Sequence, residues 1–230
     1  MKILSFESSA VSASVSLTEG TRLVAQSFQN CGLTHSRTLL PMAEALLSCC
    51  GVPLADVDAF AVAAGPGSFT GLRIGVATVK GLAYPTGKPC IGVSALEAMA
   101  AGLTGFTGDV CCVMDARGGQ VYNALFRLAG TARTRLTEDR AVSLLDLGAQ
   151  IGDTPQILVG DGADLCYTNL NETCSGLQLA PPHLRYPSAY GVALCALSQL
   201  ADGHGTDANG LDVQYLRPPY VSQPKKSNIR

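Results

Sequence analysis

The apolar and polar positions of this chain change period several times, and each change predicts an element. Residues 3–6 form a short apolar run, Glu7-Ser8-Ser9-Ala10 reads as a turn, and residues 11–17 alternate Val, Ala, Val and Leu with serine. That is a hairpin whose second strand carries period-two patterning. Glu19-Gly20 makes the next turn, and residues 23–28 supply a third strand. Over residues 38–50, Leu39, Met42, Ala43, Leu46, Leu47 and Cys50 recur at helical spacing, and Gly51 sits where a carboxy-terminal stop belongs. Leu40 lies off that stripe, and Pro41 fits the first turn of a helix beginning near Thr38 or later.

Residues 59–64 are a continuous small apolar run, the pattern of a strand buried on both faces. The loop Gly65-Pro66-Gly67-Ser68-Phe69-Thr70-Gly71 follows, and residues 72–84 read as a helix stopped by Pro85. Residues 90–93 are a further strand, and Ser94-Ala95-Leu96-Glu97 has the capping-box spacing that opens another helix. The first hundred or so residues thus read β-β-β-α-β-α-β-α. The second part begins the same way, with a strand at 110–114, the turn Asp115-Ala116-Arg117-Gly118-Gly119, and an alternating strand at 120–128. Placing Glu7 over Asp115 superposes two strand-acid-turn-strand units and implies an internal duplication. A helix at 143–151, a strand at 157–159 ending in Gly160-Asp161-Gly162, and a helix at 188–201 complete the pattern.

Composition narrows the function. Only 15% of the 230 residues are charged, against about a quarter in ordinary soluble domains, while 47% are hydrophobic. Sixteen basic and eighteen acidic residues create no field that gathers nucleic acid or an anionic membrane. An acidic residue at position 7 precedes any signal-like run, and no stretch reaches the ~20 apolar residues of a membrane span, so the expected compartment is the cytosol. Nine cysteines, an odd number with no C-x-x-C, predict reduced and mostly buried thiols. The histidines His35, His183 and His204 have no zinc-site spacing.

The glycine-rich turn from Gly65 to Arg73 places backbone N–H groups at a helix start and could hold phosphate. It lacks the specific patterns, however. A Rossmann turn wants glycine at Thr70, a Walker loop wants lysine where Leu72 stands, and Pro66 breaks a nucleophile elbow around Ser68. The alternative is a tight structural turn or a contact loop. Glu7 and Asp115, at strand ends facing turns, are either metal-associated carboxylates beside a ligand between the halves or caps of their own turns. Ser8 and Ala116 follow them where close phosphate approach prefers glycine. Arg73 and Arg117 flank these turns as anion binders or solvated surface charges, and His35 reads as a cap or surface residue. Tyr122 and Tyr215 read as strand or core aromatics. The glycines within the helix at 72–84 imply close approach by another backbone, from the sheet or from another subunit.

Five segments together resemble a known family: I-L-S-F-E-S-S-A from Ile3, T-H-S-R-T-L-L-P from Thr34, G-P-G-S-F-T-G-L-R-I-G from Gly65, I-G-V-S-A-L from Ile91, and V-M-D-A-R-G-G-Q-V-Y from Val113. They resemble, in order over about the first 125 residues, the glycoprotease-like TsaB/YeaZ family of bacterial threonylcarbamoyladenosine synthesis, with Y-L-R at residues 215–217 adding to the match. The resemblance implies an α/β fold of the duplicated ribonuclease-H-like kind (the actin, sugar kinase and Hsp70 group) with two βββαβαβα-type halves. It divides the chain into an amino-terminal actin-like ATPase-type half at 1–106, a second, degenerate half at 107–217, and a flexible tail at 218–230. It also implies a TsaD-like catalytic partner and a TsaE-like ATPase, which together modify the adenine beside certain tRNA anticodons. ATP and Mg are used by the complex, tRNA is reached through it, and a homodimer forms when the chain is alone. TsaD-like proteins carry an H-x-x-x-H pair, whereas residues 34–42 here hold only His35, and Glu7 stands where aspartate is typical.

The resulting expectation is a noncatalytic scaffold or activator with no catalytic or metal residues and no tightly bound cofactor. Glu7, Ser8, Gly65, Gly67 and Asp115 are the candidates for any residual cofactor site. The expected partner surface joins Leu39, Leu40, Met42, Leu46 and Leu47 of one helix to Gly71, Arg73, Ile74, Gly75, Thr78, Gly81 and Leu82 of the next, and a bulky residue at Gly75 is expected to break the complex and spare the fold. The alternatives are a nucleotide-dependent transferase or hydrolase of the same fold and, with no Ser/His/Asp set to support it, a peptidase.

Overall fold

The computed structural model describes residues 1–217; the segment 218–230, read above as a tail, lies outside the described residues. The opening hairpin forms as its alternation predicts. β1 (Lys2–Glu7) and β2 (Ala13–Glu19) pair antiparallel with Leu4 opposite Leu17 and Glu7 opposite Ser14, and β3 (Arg22–Gln29) extends the ribbon. β4 (Ala59–Gly65) and β5 (Cys90–Ser94) add in parallel on the other side of β1, giving the order β3-β2-β1-β4-β5. Their connections are helical, since parallel neighbours require crossovers: α1 (His35–Cys50) precedes β4, α2 (Phe69–Ala83) follows it, and α3 (Ala95–Gly102) follows β5.

The second half repeats this plan. β6 (Thr107–Arg117) pairs antiparallel with β7 (Gln120–Ala129), which in turn pairs with β8 (Ala132–Arg135) and β9 (Arg140–Ser143). β10 (Gln156–Val159) and β11 (Leu177–Leu179) are parallel to β6 on its other side, giving the order β11-β10-β6-β7-β8. α4 (Leu144–Ile151), α5 (Ala163–Leu170) and α6 (Ala189–Ala201) take the places of α1, α2 and α3. The two sheets thus share one connectivity, and the fold is α/β, a duplicated ribonuclease-H-like architecture with one extra strand in its second half.

Side-chain alternation shows how the layers stack. Along β1 and β4, Leu4, Phe6, Phe60 and Val62 face α1 and α2, while Ile3, Ala59, Ala61 and Ala63 face a middle layer. That layer is shared between the halves: α6 lies on the first sheet, α3 touches the second, and the two helices pack on each other. Along β6, Val110, Cys112 and Met114 face the middle layer, and Cys111 and Val113 face the other way, toward the core built with α4 and α5. The serine face of the hairpin is covered by the protein itself. Ser5, Ser14, Ser16 and Thr18 are fully buried, because α6 covers them, and Ser14 Oγ accepts the Ala189 N–H at 3.2 Å. Small residues on this face let the helix approach closely.

Several element limits move for local reasons. α1 starts at His35, so Pro41 lies inside the helix rather than in its first turn. Its end is as expected, with Gly51 at φ 63° donating to the Leu47 and Ser48 carbonyls. α2 starts at Phe69, because Ser68 Oγ accepts the Gly71 N–H at 3.3 Å and caps it. The short elements β8, β9, β11 and α5 carry no periodicity long enough to detect, and α5 has no side-chain cap.

The tightest joint of the middle layer is Gly191, since a Cβ there would press into the Ala98 carbonyl of α3. Gly191→Ala is expected to destabilise the protein by about 1–3 kcal/mol through overpacking, read as a lower midpoint in urea denaturation with unchanged slope. An unchanged midpoint would show that α3 and α6 are free to separate.

Candidate functional site

The carboxyl ends of β1 and β4 meet the start of α2, and the chain fills this junction itself. Glu7 ends β1 with 0% exposure. Its Oε1 accepts the Ser9 N–H at 2.6 Å and the Ser9 hydroxyl at 2.5 Å, which closes the turn predicted at Glu7-Ser8-Ser9-Ala10. The carbonyls of that turn press on the glycine loop. Ser68 N–H donates to the Ser9 carbonyl at 2.7 Å, Ser8 Oγ donates to the Gly71 carbonyl at 3.0 Å, and a Cβ on Gly67 or Gly71 would collide with the Ser9 or Ser8 carbonyl. Gly65, at φ 150°, meets a third segment: the Gln214 carbonyl lies where its Cβ would be, and Gln214 N–H donates to the Ala64 carbonyl at 2.8 Å.

Residues 212–217 are strapped down by side chains as well. Tyr215 stacks on Phe69 with centroids 4.9 Å apart, the Arg73 guanidinium lies 3.8 Å over the Phe69 ring, and Arg73 Nε donates to the Tyr215 hydroxyl at 2.8 Å. Arg217 donates to Gln120 Oε1 at 2.6 Å, which ties the strap to the second half. Tyr215 is therefore a half-exposed clasp, where a strand or core aromatic was expected, whereas Tyr122 packs against the shared core as expected. His35 belongs to the first turn of α1, with Nε2 2.9 Å from the Ala10 carbonyl.

In the second half, Asp115 Oδ1 accepts the Arg117 N–H at 2.7 Å, and Arg117 itself takes φ 63°. Asp115 does not occupy the position equivalent to Glu7, which corrects the superposition expected from sequence. Glu7 shares the face of Ile3 and Ser5, toward the middle layer, whereas Asp115 is opposite Val121 on the face of Cys111 and Val113. A one-residue offset inverts every side chain of a strand. The charge of Asp161, in the loop after β10, adds to the upward shift of Glu7. Burial is the main cause of that shift, which carries Glu7 to about 7 against the lowering effect of its Ser9 hydrogen bonds. Burial likewise raises Asp161 to about 6, opposed by backbone N–H donors and aided by the charge of Asp115. Sequence reading missed Asp161; its signal was the Gly160-Asp161-Gly162 turn, which follows a strand as Gly65-Pro66-Gly67 does.

The expected residual cofactor site is thus dispersed. Ser8 is bonded to Gly71, Gly67 lies against Ser9 and Gly65 against Gln214 of the strap, and Glu7 and Asp115 lie on different faces. Among the described residues, no group of three or more His, Cys, Asp or Glu side chains could hold a metal ion. At the glycine turn the Ser9 carbonyl lies where a Cβ on Gly67 would be, the Gln214 carbonyl lies where one on Gly65 would be, and the Ser68 N–H is bonded to the Ser9 carbonyl.

The expected partner surface needs a larger correction. Leu39, Met42, Leu46 and Leu47 are core residues, packed with Phe6, Val15, Phe60 and Val79. Gly71 and Gly75 face the Ser8 turn, a Cβ on Gly75 lying 2.5 Å from Ser8 Oγ. Leu40 is 43% exposed, Gly81 opens on empty space, Ile74, Thr78 and Leu82 are half-buried, and Arg73 is exposed beside the Tyr215 clasp. Of the cysteines, Cys90, Cys111, Cys112, Cys166, Cys174 and Cys195 are buried free thiols, as expected, and burial raises Cys90 to about 11. No helix among the described residues is long and apolar enough to cross a membrane.

Gly75→Leu, expected from sequence to spare the fold, is now expected to destabilise it by about 1–3 kcal/mol by displacing the Ser8 turn. Denaturation of the isolated variant checks this: a wild-type midpoint would mean that α2 can move away from β1 without cost.

Comparison with known proteins places this geometry. A family model described as TsaD: tRNA N6-adenosine threonylcarbamoyltransferase matches residues 29–227. The chain is 32% identical over 223 residues to the tRNA threonylcarbamoyladenosine biosynthesis protein TsaB of Escherichia coli, covering 94% of this chain and 95% of that protein. It is also 32% identical to the Bacillus subtilis protein of the same name, with 94% of each chain covered. Among solved structures, YeaZ from Pseudomonas aeruginosa superposes with a TM-score of 0.79 and 26% identity, covering 94% of this chain and 99% of that one.

Proposed function

Because the chain belongs to the TsaB family of tRNA threonylcarbamoyladenosine biosynthesis proteins, we propose that it is a noncatalytic subunit of the tRNA-modifying assembly, binding and supporting the TsaD-type catalytic subunit. The observation that carries this reading is the self-filled glycine turn. Its glycines accommodate the Ser8, Ser9 and Gln214 backbone, and the helix start that could have received phosphate is bonded to the protein's own chain. What this junction does supply is a fixed platform for α2 and, beside it, α1.

The outer faces of α1 and α2 are the proposed contact. Leu40 and Ala77 are exposed, Ile74 and Thr78 are half-exposed, and Gly81 leaves room for a second helix to approach closely. In this reading ATP and Mg serve the complex, which also includes a TsaE-type ATPase, and tRNA is reached through the complex in the cytoplasm. Two copies of this chain meet through the same face when the partner is missing. The subunit holds no tightly bound cofactor of its own.

Leu40→Glu combined with Gly81→Trp tests the surface without touching the core. The expected outcome is loss of co-elution with the TsaD-type subunit at micromolar concentrations, with a thermal midpoint close to that of the parent. Retention of the complex at unchanged affinity would place the contact elsewhere.

A further inference from the structure

The arginines of this chain sit in distinct settings. Arg22, Arg127, Arg133, Arg135 and Arg185 each meet a carboxylate, and Arg140 and Arg217 end on amide oxygens. Arg73 is exposed and is held in another way. Its guanidinium lies 3.8 Å over the Phe69 ring and 5.9 Å from the Tyr215 centroid, and Nε donates to the Tyr215 hydroxyl at 2.8 Å. Among the described residues only Nε is used, and both Nη groups are without a bond. A charged fork is thus fixed on the surface with its outer edge open.

The place of that fork on α2 suits it to a partner. Thr70, Arg73, Ala77 and Gly81 are exposed at spacings of three and four residues, and the stripe runs on to Tyr84 at the end of the helix. Ala77 and Gly81 belong to the contact face proposed above. α1 and α2 together carry Arg37, Arg73 and Lys80 against the single acid Glu44, within a chain of net charge -2. The face is basic where the chain as a whole is slightly acidic.

Resting on that reading of the face, we propose that Arg73 is its specificity-determining contact: the open fork takes a carboxylate of the catalytic subunit, and Tyr215 is the positioning residue that aims it. A guanidinium matches a carboxylate with two parallel N–H donors. The ring stack and the Nε bond have already restricted the side chain, so less rotamer freedom is lost on binding. A second copy of this chain brings the same excess of positive charge to a two-fold contact, which opposes association. The preferred occupant is therefore a helix face bearing an acid. Tyr215 lies between Gln214, bonded to Ala64, and Arg217, bonded to Gln120, so the strap that ties the two halves also sets the aim of Arg73.

The test is calorimetric titration of the full chain against the purified TsaD-type subunit, beside sedimentation of the chain alone to measure self-association. Arg73→Gln is expected to weaken the complex about thirtyfold, the scale of a central interface residue, and to leave self-association no weaker than in the parent. Arg73→Lys keeps the charge but neither the fork nor the Nε donor, and is expected to recover only part of the loss. Tyr215→Phe keeps the ring and removes the hydroxyl. It is expected to weaken the complex about threefold in the parent and not at all in Arg73→Gln, a dependence that a merely structural role would not produce. Binding by Arg73→Gln at the parent's affinity would overturn this inference and leave the subunit reading standing. So would equal weakening of self-association, full recovery by Arg73→Lys, or the same effect of Tyr215→Phe in both backgrounds. A parent chain that does not bind the catalytic subunit would overturn both.

Discussion

The structure depends on the close approach of two backbones: the turn after β1 and the start of α2. Ser8 and Ser9 carbonyls come so near Gly67 and Gly71 that no Cβ fits between them, and the Ser68 amide bonds across the gap. The Gln214 segment then closes over Gly65. This single constraint accounts for the glycine spacing and for the fixed position of α2 beside α1. A loop that looks built for a ligand is built for the chain itself. The functional consequence is a rigid platform whose chemistry is turned inward and whose outer helical faces are available.

The second organising feature is the shared middle layer. Each sheet has helices on both faces: α6 lies on the inner face of the first sheet, and α3 packs on α6 and reaches strands of both sheets. This accounts for a chain with 47% hydrophobic and 15% charged residues, because the central strands β1, β2 and β4 and the middle of β6 and β7 are buried on two sides. It also explains the serines of β1 and β2, which are small enough to admit α6. Some of the charges are paired. Glu97 of α3 receives both Arg133 and Arg135 at 2.9 Å, and Arg135 also reaches Asp139 at 2.6 Å, a network that fastens the first half to the second.

Much of this was legible in the amino-acid sequence, and the failures have physical causes. The hairpin, the helix stop at Gly51, the helix after Gly67 and the repeated order of elements all follow from periodicity and turn chemistry. Period two tells a strand which residues share a face but not what covers that face, so the cover of the serine face by α6 is visible only in the structure. Leu39, Met42, Leu46 and Leu47 were assigned to a partner for the same reason: an apolar stripe says only that something buries it, and here it is the helix's own sheet. The match of Glu7 to Asp115 failed by one residue of register, which reverses the direction of a side chain. Asp161 was overlooked because its burial comes from packing around the loop after β10, near Asp115, which no local pattern encodes.

The account makes this chain a support for catalysis carried out elsewhere in the assembly. Its central claim is tested most directly by reconstituting the tRNA modification from purified TsaD-type and TsaE-type proteins, with the same substrates and tRNA, in the presence and absence of this chain. The account predicts that modification with the chain greatly exceeds that without it, and that the chain alone modifies nothing. Full-rate modification in its absence would contradict the account.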